Sequence, residues 1–246
     1  MKTDRIVVVT GAAGGMGLLA ARRFLANGDT VIATDTTMEA LTKLPDGEPS
    51  DARLHLVVAD ISKEDDCAAV SAKADEVGGR VDVLVNVAGF FPIQSFDGMT
   101  TDDFRKVVDI NLTGTFLMIK AMTPLLRGRG WGRIITIGSA SAFEGVSDQV
   151  HYVAAKAGLF GLSRSIARVL GKDGITVNVV TPGLTVTPAV EAKMPPEMIE
   201  EQIKLRAIPR KEQGEDLIGA ILFLASPDAD FISGQTINVD GGKHML

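Results

Sequence analysis

Short apolar runs rich in β-branched residues alternate along the chain with longer stretches whose apolar positions recur every three to four residues. The runs at 5–10, 30–34, 54–59, 81–85, 132–138, 176–181 and 236–239 predict strands. The stretches at about 15–28, 63–78, 101–127, 150–171 and 213–225 predict helices. Ile6-Val7-Val8-Val9 is apolar without a break, the pattern of a strand covered on both faces in a parallel sheet. The alternation predicts an α/β fold, a single doubly wound Rossmann-type domain over 1–246 with a mostly parallel seven-stranded sheet. One irregular stretch, about 184–210, carries Pro188, Pro195, Pro196 and Pro209 among charged residues and Met. Proline punctuates helices, so this stretch is expected to be a lid or substrate loop, the competing reading being an ordinary surface excursion.

Composition narrows the partners. The 246 residues can bury a substantial core without a disulfide or metal staple. A net charge of -6 argues against nucleic acid, and the short cluster Arg127, Arg129, Arg133 reads as a solvated helix end. The single cysteine, Cys67, cannot close an internal disulfide, and it reads as a small residue on a helix rather than a metal ligand. No apolar run is long enough for a membrane span, and the N-terminal residues lack a signal-peptide pattern, so a cytoplasmic protein is expected.

Candidate chemistry sits at the carboxyl ends of the predicted strands, where ligands bind in open α/β sheets. After the first strand come Gly11, Gly14, Gly15, Met16 and Gly17, leading directly into a helix. Such a turn lets backbone approach a pyrophosphate at the helix N-terminus. Asp35 ends the second strand, where a carboxylate accepts from an adenosine ribose and repels a 2′-phosphate; the alternative is that it caps the next helix. No Arg or Lys stands beside it, which predicts NAD rather than NADP. Asp60 and Ile61 end the third strand, suited to an adenine, and Asn86, Ala88 and Gly89 end the fourth, small enough for close approach.

The fifth strand ends at Ser139, and the helix beginning near 150 carries Tyr152 and Lys156, four apart and therefore on one face. An ammonium beside a phenol is expected to lower its pKa from about 10. A serine hydrolase is excluded, because Ser139 is not in a Gly-x-Ser-x-Gly elbow and no His-plus-acid pair follows. Phe90 and Phe91 are expected to wall the substrate pocket, with Ser141 also facing it; packing of either Phe in the core is the alternative.

These residues resemble the classical short-chain dehydrogenase/reductase family along essentially the whole chain. Thr10, Gly11, Gly15 and Gly17 match its glycine motif, Tyr152 and Lys156 its Tyr-x-x-x-Lys, and Ser139 stands at the usual spacing. Asn111 matches the structural and proton-relay asparagine, and Pro182, Gly183 and Thr187 match the segment that holds the nicotinamide carboxamide. Asp240-Gly241-Gly242 matches the C-terminal ending. Thr185 and Val87 depart from the usual residues, Thr185 replacing an aliphatic one in the carboxamide segment. The resemblance implies NAD-linked hydride transfer with Tyr152 exchanging the proton, Lys156 holding the ribose and Asn111 supporting a proton path, in a homotetramer. Within the family the chain looks like secondary, often aromatic, alcohol dehydrogenases and like 3-oxoacyl-carrier-protein reductases. The alternative of another class is a non-catalytic NAD-sensing protein on the same fold.

Overall fold

The computed structural model describes residues 4–44, 52–191 and 194–245. The first half runs β1 (Ile6–Thr10), α1 (Gly15–Ala26), β2 (Thr30–Asp35), α2 (Met38–Leu41), β3 (Leu54–Val58), α3 (Glu64–Gly78) and β4 (Val83–Asn86). Helix α4 (Thr101–Val108) continues through a π-helical turn (Asp109–Thr113) into α5 (Gly114–Leu126), and β5 (Gly132–Ile137) follows. Then come α6 (Ser141–Glu144), α7 (Val150–Leu170), β6 (Ile175–Pro182), α8 (Pro188–Glu191), α9 (Pro196–Lys204), α10 (Gly214–Leu224) and β7 (Thr236–Val239). The seven strands lie in the order β3-β2-β1-β4-β5-β6-β7, and every pairing is parallel.

The chain builds outward from β1 to β3, then returns to β4 on the other side of β1. Connections therefore diverge above the carboxyl ends of β1 and β4, which opens a crevice there. The core forms two layers, one on each sheet face. Val7 and Val9 face Phe24 of α1 and Leu217 and Ile221 of α10, while Val8 faces Val70 of α3 and Met118 and Met122 of α5. This is the period-two alternation of a strand buried on both sides. Each such side chain withdrawn from water contributes about 1.5–3 kcal/mol.

Three details differ from the sequence reading. The helix expected over 101–127 is found over 101–126, but it carries a π turn that periodicity did not predict, and Pro124 lies inside α5. The stretch 184–210 is not without structure: it holds α8 and α9, with Pro196 in the first turn of α9, where proline's missing N–H leaves no helical bond unmade. Residues 192 and 193 of that stretch lie outside the described residues. The arginines are a solvated helix end only in part, Arg127 and Arg129 being exposed just past α5 and Arg133 not. Arg133 is buried in β5 and pairs with Asp230 while lying over the Trp131 ring, Arg127 pairs with Asp173 at 2.9 Å, and Arg129 pairs with Asp82. Cys67 is buried on α3, as expected, and burial pushes its thiol up to about 11. No described helix is long and apolar enough to cross a membrane.

Candidate active site

A cleft of about 920 Å³ opens along the carboxyl ends of the strands. Its first wall is the turn between β1 and α1. Gly11 is left-handed (φ 64°), and a Cβ there would lie 2.7 Å from the Ala88 backbone. A Cβ on Gly17 would strike the Gly11 carbonyl. Thr10 completes this packing, its hydroxyl accepting the backbone N–H groups of Val87 (3.1 Å) and Ala88 (3.2 Å). The glycines thus let α1 begin close against β4, with Gly14 leaving its N-terminus without a side-chain cap. Gly11, Gly15, Met16 and Gly17 line the cleft, as do Ala88 and Gly89.

Asp35 lines the same cleft and is held firmly. Its carboxylate accepts the Ala13 N–H at 3.0 Å and the Thr36 N–H at 2.7 Å. Thr37, not Asp35, caps α2, so the capping alternative does not hold. Asp60 and Ile61 also face the cleft. The Ser62 hydroxyl holds the Asp60 carboxyl below its usual range, and the Ser62 N–H and the Lys63 charge add to it against the opposing effect of burial. Asn86 does not reach the cleft: it is buried in the sheet with its amide 3.5 Å from the Thr136 hydroxyl.

Tyr152, Lys156 and Ser139 converge farther along the cleft. One turn of α7 separates Tyr152 from Lys156, and the Lys156 Nζ lies 5.6 Å from the tyrosine ring centroid. That ammonium is buried and donates to the Ile137 carbonyl at 2.8 Å. The expected depression of the phenol pKa is not found. Loss of solvent pushes Tyr152 up to about 12, outweighing the hydrogen bond with Ser139, which acts downward. The same loss of solvent lowers Lys156 to about 8. Ser139 and Ser141 share a 2.8 Å hydrogen bond between their hydroxyls.

Asn111 lies in the π turn, fully buried, and its side chain does not line the cleft. Its amide donates to the Phe90 carbonyl (2.8 Å) and the Val107 carbonyl (2.9 Å) and accepts the Phe90 N–H (3.2 Å). A Cβ on Gly89 would come within 2.9 Å of this amide and 3.5 Å of Lys156 Nζ. Glycine there lets the two side chains approach each other. Phe90 and Phe91 are half-exposed and line the cleft rather than the core, Phe91 meeting Tyr152 edge-on at 6.5 Å.

Pro182, Gly183, Thr185 and Thr187 form the far rim. The Thr185 hydroxyl donates to Glu212 at 2.8 Å, so its proton is already committed. Behind it the buried pair Arg206–Glu212 spans 3.5 Å. Sequence reasoning missed this pair and also missed Glu144, Gln202 and Lys243, which line the substrate end with Met194 and Met198. The only sequence signal was Asp240-Gly241-Gly242, which was read as an ending rather than as a turn into the site. A His–acid pair does exist, His244 Nδ1 lying 2.6 Å from Asp240, but its Nε2 faces Glu144 at 3.3 Å and not a serine.

Comparison with known proteins agrees with this geometry. A family profile described as enoyl-(acyl carrier protein) reductase matches residues 11–244. The chain is 38% identical to the 3-oxoacyl-[acyl-carrier-protein] reductase MabA of Mycobacterium avium, over 98% of this chain and 91% of that protein. It is 33% identical to the levodione reductase of Leifsonia aquatica, over 98% and 94% of the two chains. A crystal structure from Brucella melitensis, titled a short-chain dehydrogenase/reductase of the glucose/ribitol dehydrogenase type, superposes with a TM-score of 0.94 at 32% identity, covering 100% of this chain and 99% of the other. With the glycine turn, the Tyr152–Lys156 pair and Ser139 on one cleft, the chain belongs to the short-chain dehydrogenase/reductase family of oxidoreductases.

Proposed function

We propose that this chain is an NAD-dependent oxidoreductase that interconverts a secondary alcohol and a ketone, with Tyr152 as general acid and base. The observation that carries the reading is the convergence of Tyr152, Ser139 and Lys156 on the cleft that begins at the glycine turn. The fit to a dinucleotide rests on that turn, where added Cβ atoms would meet backbone, and on an α1 N-terminus free of any side-chain cap. Gly11, Gly15, Met16, Gly17, Asp35, Asp60, Ile61, Ala88 and Gly89 would hold the adenosine and pyrophosphate. Lys156, Pro182, Gly183, Thr185 and Thr187 would hold the nicotinamide half. The choice of NAD follows from Asp35, because among the described residues the cleft is lined by no lysine or arginine other than Lys156 and Lys243. Neither belongs to the β1–α1 turn or the β2 end, so nothing there neutralises a 2′-phosphate.

A bound nicotinamide supplies or accepts the hydride. Ser139 orients the substrate oxygen, and Tyr152 gives that oxygen a proton in reduction and takes it in oxidation. Lys156 holds the ribose and supports the charge that develops on the phenol. Phe90 and Phe91 favour apolar, including aromatic, substituents. A homotetramer fits the exposed Phe104, Phe116 and Val169 on α4, α5 and α7.

The names of MabA and the other carrier-protein reductases support a second reading, reduction of a 3-oxoacyl group on a carrier. Against it, Arg127 is neutralised by Asp173 and Arg129 by Asp82, so the surface flanking β5 offers little free positive charge for an acidic carrier. The test is turnover of NADH and NADPH with a ketone panel and with an acetoacetyl thioester. Ketone reduction that strongly prefers NADH is expected. A marked preference for the thioester would favour the second reading, and cofactor binding without any turnover would favour a sensor.

A further inference from the structure

The segment after β7 is folded around one carboxylate. Asp240 Oδ1 accepts the backbone N–H groups of Gly242 (3.0 Å) and Lys243 (3.1 Å), and its Oδ2 accepts the His244 N–H (3.0 Å). Gly241 and Gly242 are both left-handed, at φ 71° and 76°, a conformation that a residue with a Cβ adopts only with strain. This tight turn delivers Lys243 to the substrate end of the cleft, with its side chain only 10% exposed.

There the ammonium donates to Glu144 Oε1 at 2.7 Å and to Gln202 Oε1 at 2.6 Å. An ammonium carries three N–H groups. The third has no hydrogen-bond acceptor among the described residues, although Lys243 faces the cleft. A third N–H directed into the cleft from a side chain held by two other partners is placed to meet an oxygen on a ligand there.

The position and charge of this group define what it would take. Glu144 follows Ser141 by three residues on α6, a spacing of roughly 5–6 Å between Cβ atoms. Ser141 in turn touches Ser139, so the ammonium lies about one helical turn beyond the serines at the reacting oxygen. Its charge is already matched by Glu144, and Asp148 and Glu201 line the same cleft. An anion would meet these carboxylates, whereas a neutral oxygen would not.

We infer that Lys243 is a specificity-determining residue that binds a second, neutral oxygen on the substrate, a carbonyl or hydroxyl several bonds from the reacting carbon. The inference rests on the oxidoreductase reading above for which carbon reacts. Its test is calorimetric binding, with NAD+ in excess so that no hydride is available and no ketone turns over, of three aromatic ketones: para-(hydroxymethyl)acetophenone, the isosteric para-ethylacetophenone and the anion para-acetylbenzoate. The hydroxymethyl ketone should bind about tenfold tighter than the ethyl ketone, and tighter than the anion. Lys243→Met should bring the first ratio to within about twofold, and Lys243→Gln, which keeps a donor, should retain part of it. Gln202→Leu removes the tie between α9 and Lys243 but leaves the ammonium, so it should keep the preference. Equal binding of the two neutral ketones by the unaltered enzyme, an undiminished ratio in Lys243→Met, or tightest binding of the anion would each overturn the inference. So would a preference lost in Gln202→Leu as completely as in Lys243→Met, because Lys243 would then be only a strap. Turnover of the same ketones, recorded in parallel, tests the oxidoreductase reading separately: selective binding without turnover keeps the Lys243 site and removes the reaction.

Discussion

At Tyr152, burial favours one direction of the proposed reaction over the other. A phenol pushed up to about 12 keeps its proton at neutral pH, so it stands ready to donate to a ketone, while oxidation must first create phenolate. Lys156, lowered to about 8, carries its charge below that pH and loses it above. Ketone reduction should therefore be nearly level with pH up to about 8 and decline beyond as Lys156 deprotonates. Alcohol oxidation should instead rise with pH up to about 8, beyond which loss of the Lys156 charge opposes the rise. Paired pH profiles of kcat/KM check both slopes, and oxidation that falls with rising pH below about 8 would remove Tyr152 from the proton step. Lys156→Ala should weaken NAD binding as well as turnover, because one ammonium is assigned to both tasks. Asp35 gives an independent prediction. NADH should be preferred over NADPH by at least about tenfold in kcat/KM, close to 1.4 kcal/mol, and Asp35→Ala should shrink that ratio. Comparable efficiency with both cofactors in the unaltered enzyme contradicts the role given to this carboxylate.

At the scale of elements, the π turn is where sequence reasoning and structure part most usefully. A helix over 101–127 was readable from periodicity, but the wider turn at 109–113 was not, and it carries a long-range contact that periodicity does not register. Asn111 hydrogen-bonds the backbone of Phe90, which is distant in sequence, and so fixes the strip that follows β4. Asn111→Ala should cost about 1–3 kcal/mol in denaturant unfolding, the penalty of leaving buried backbone groups unpaired. It should also reduce turnover by displacing Phe90 and Gly89. Unchanged stability would show that water replaces the amide without loss. The glycine turn, Asp35 and the Tyr152–Lys156 spacing were legible because each is a local pattern at a strand end or on one helical face. Asn86 was misread because a strand end was equated with the crevice, while its side chain stays within the sheet. Lys243 and the Arg206–Glu212 pair were hidden because they approach the cleft only through the folding of the C-terminal turn and the segment after α9.

For the whole molecule, the alternation of buried strands and amphipathic helices accounts for a parallel sheet, and the observed strand order sets the cleft at the switch between β1 and β4. Exposed aromatics on α4 and α5, and the fully exposed Phe231, leave apolar surface that assembly would cover. Sedimentation at micromolar concentration should give a tetramer, and a monomer there refutes that arrangement. The central claim remains the proton carried by Tyr152, and one variant tests it most directly. Tyr152→Phe removes a single oxygen and keeps the ring that meets Phe91, so NADH binding, read by calorimetry, should match the unaltered enzyme. Single-turnover reduction of a ketone by the bound NADH should then slow by about 10²–10⁴-fold, the usual contribution of general acid–base catalysis. Retention of near-normal reduction in a variant that binds NADH normally would contradict the account.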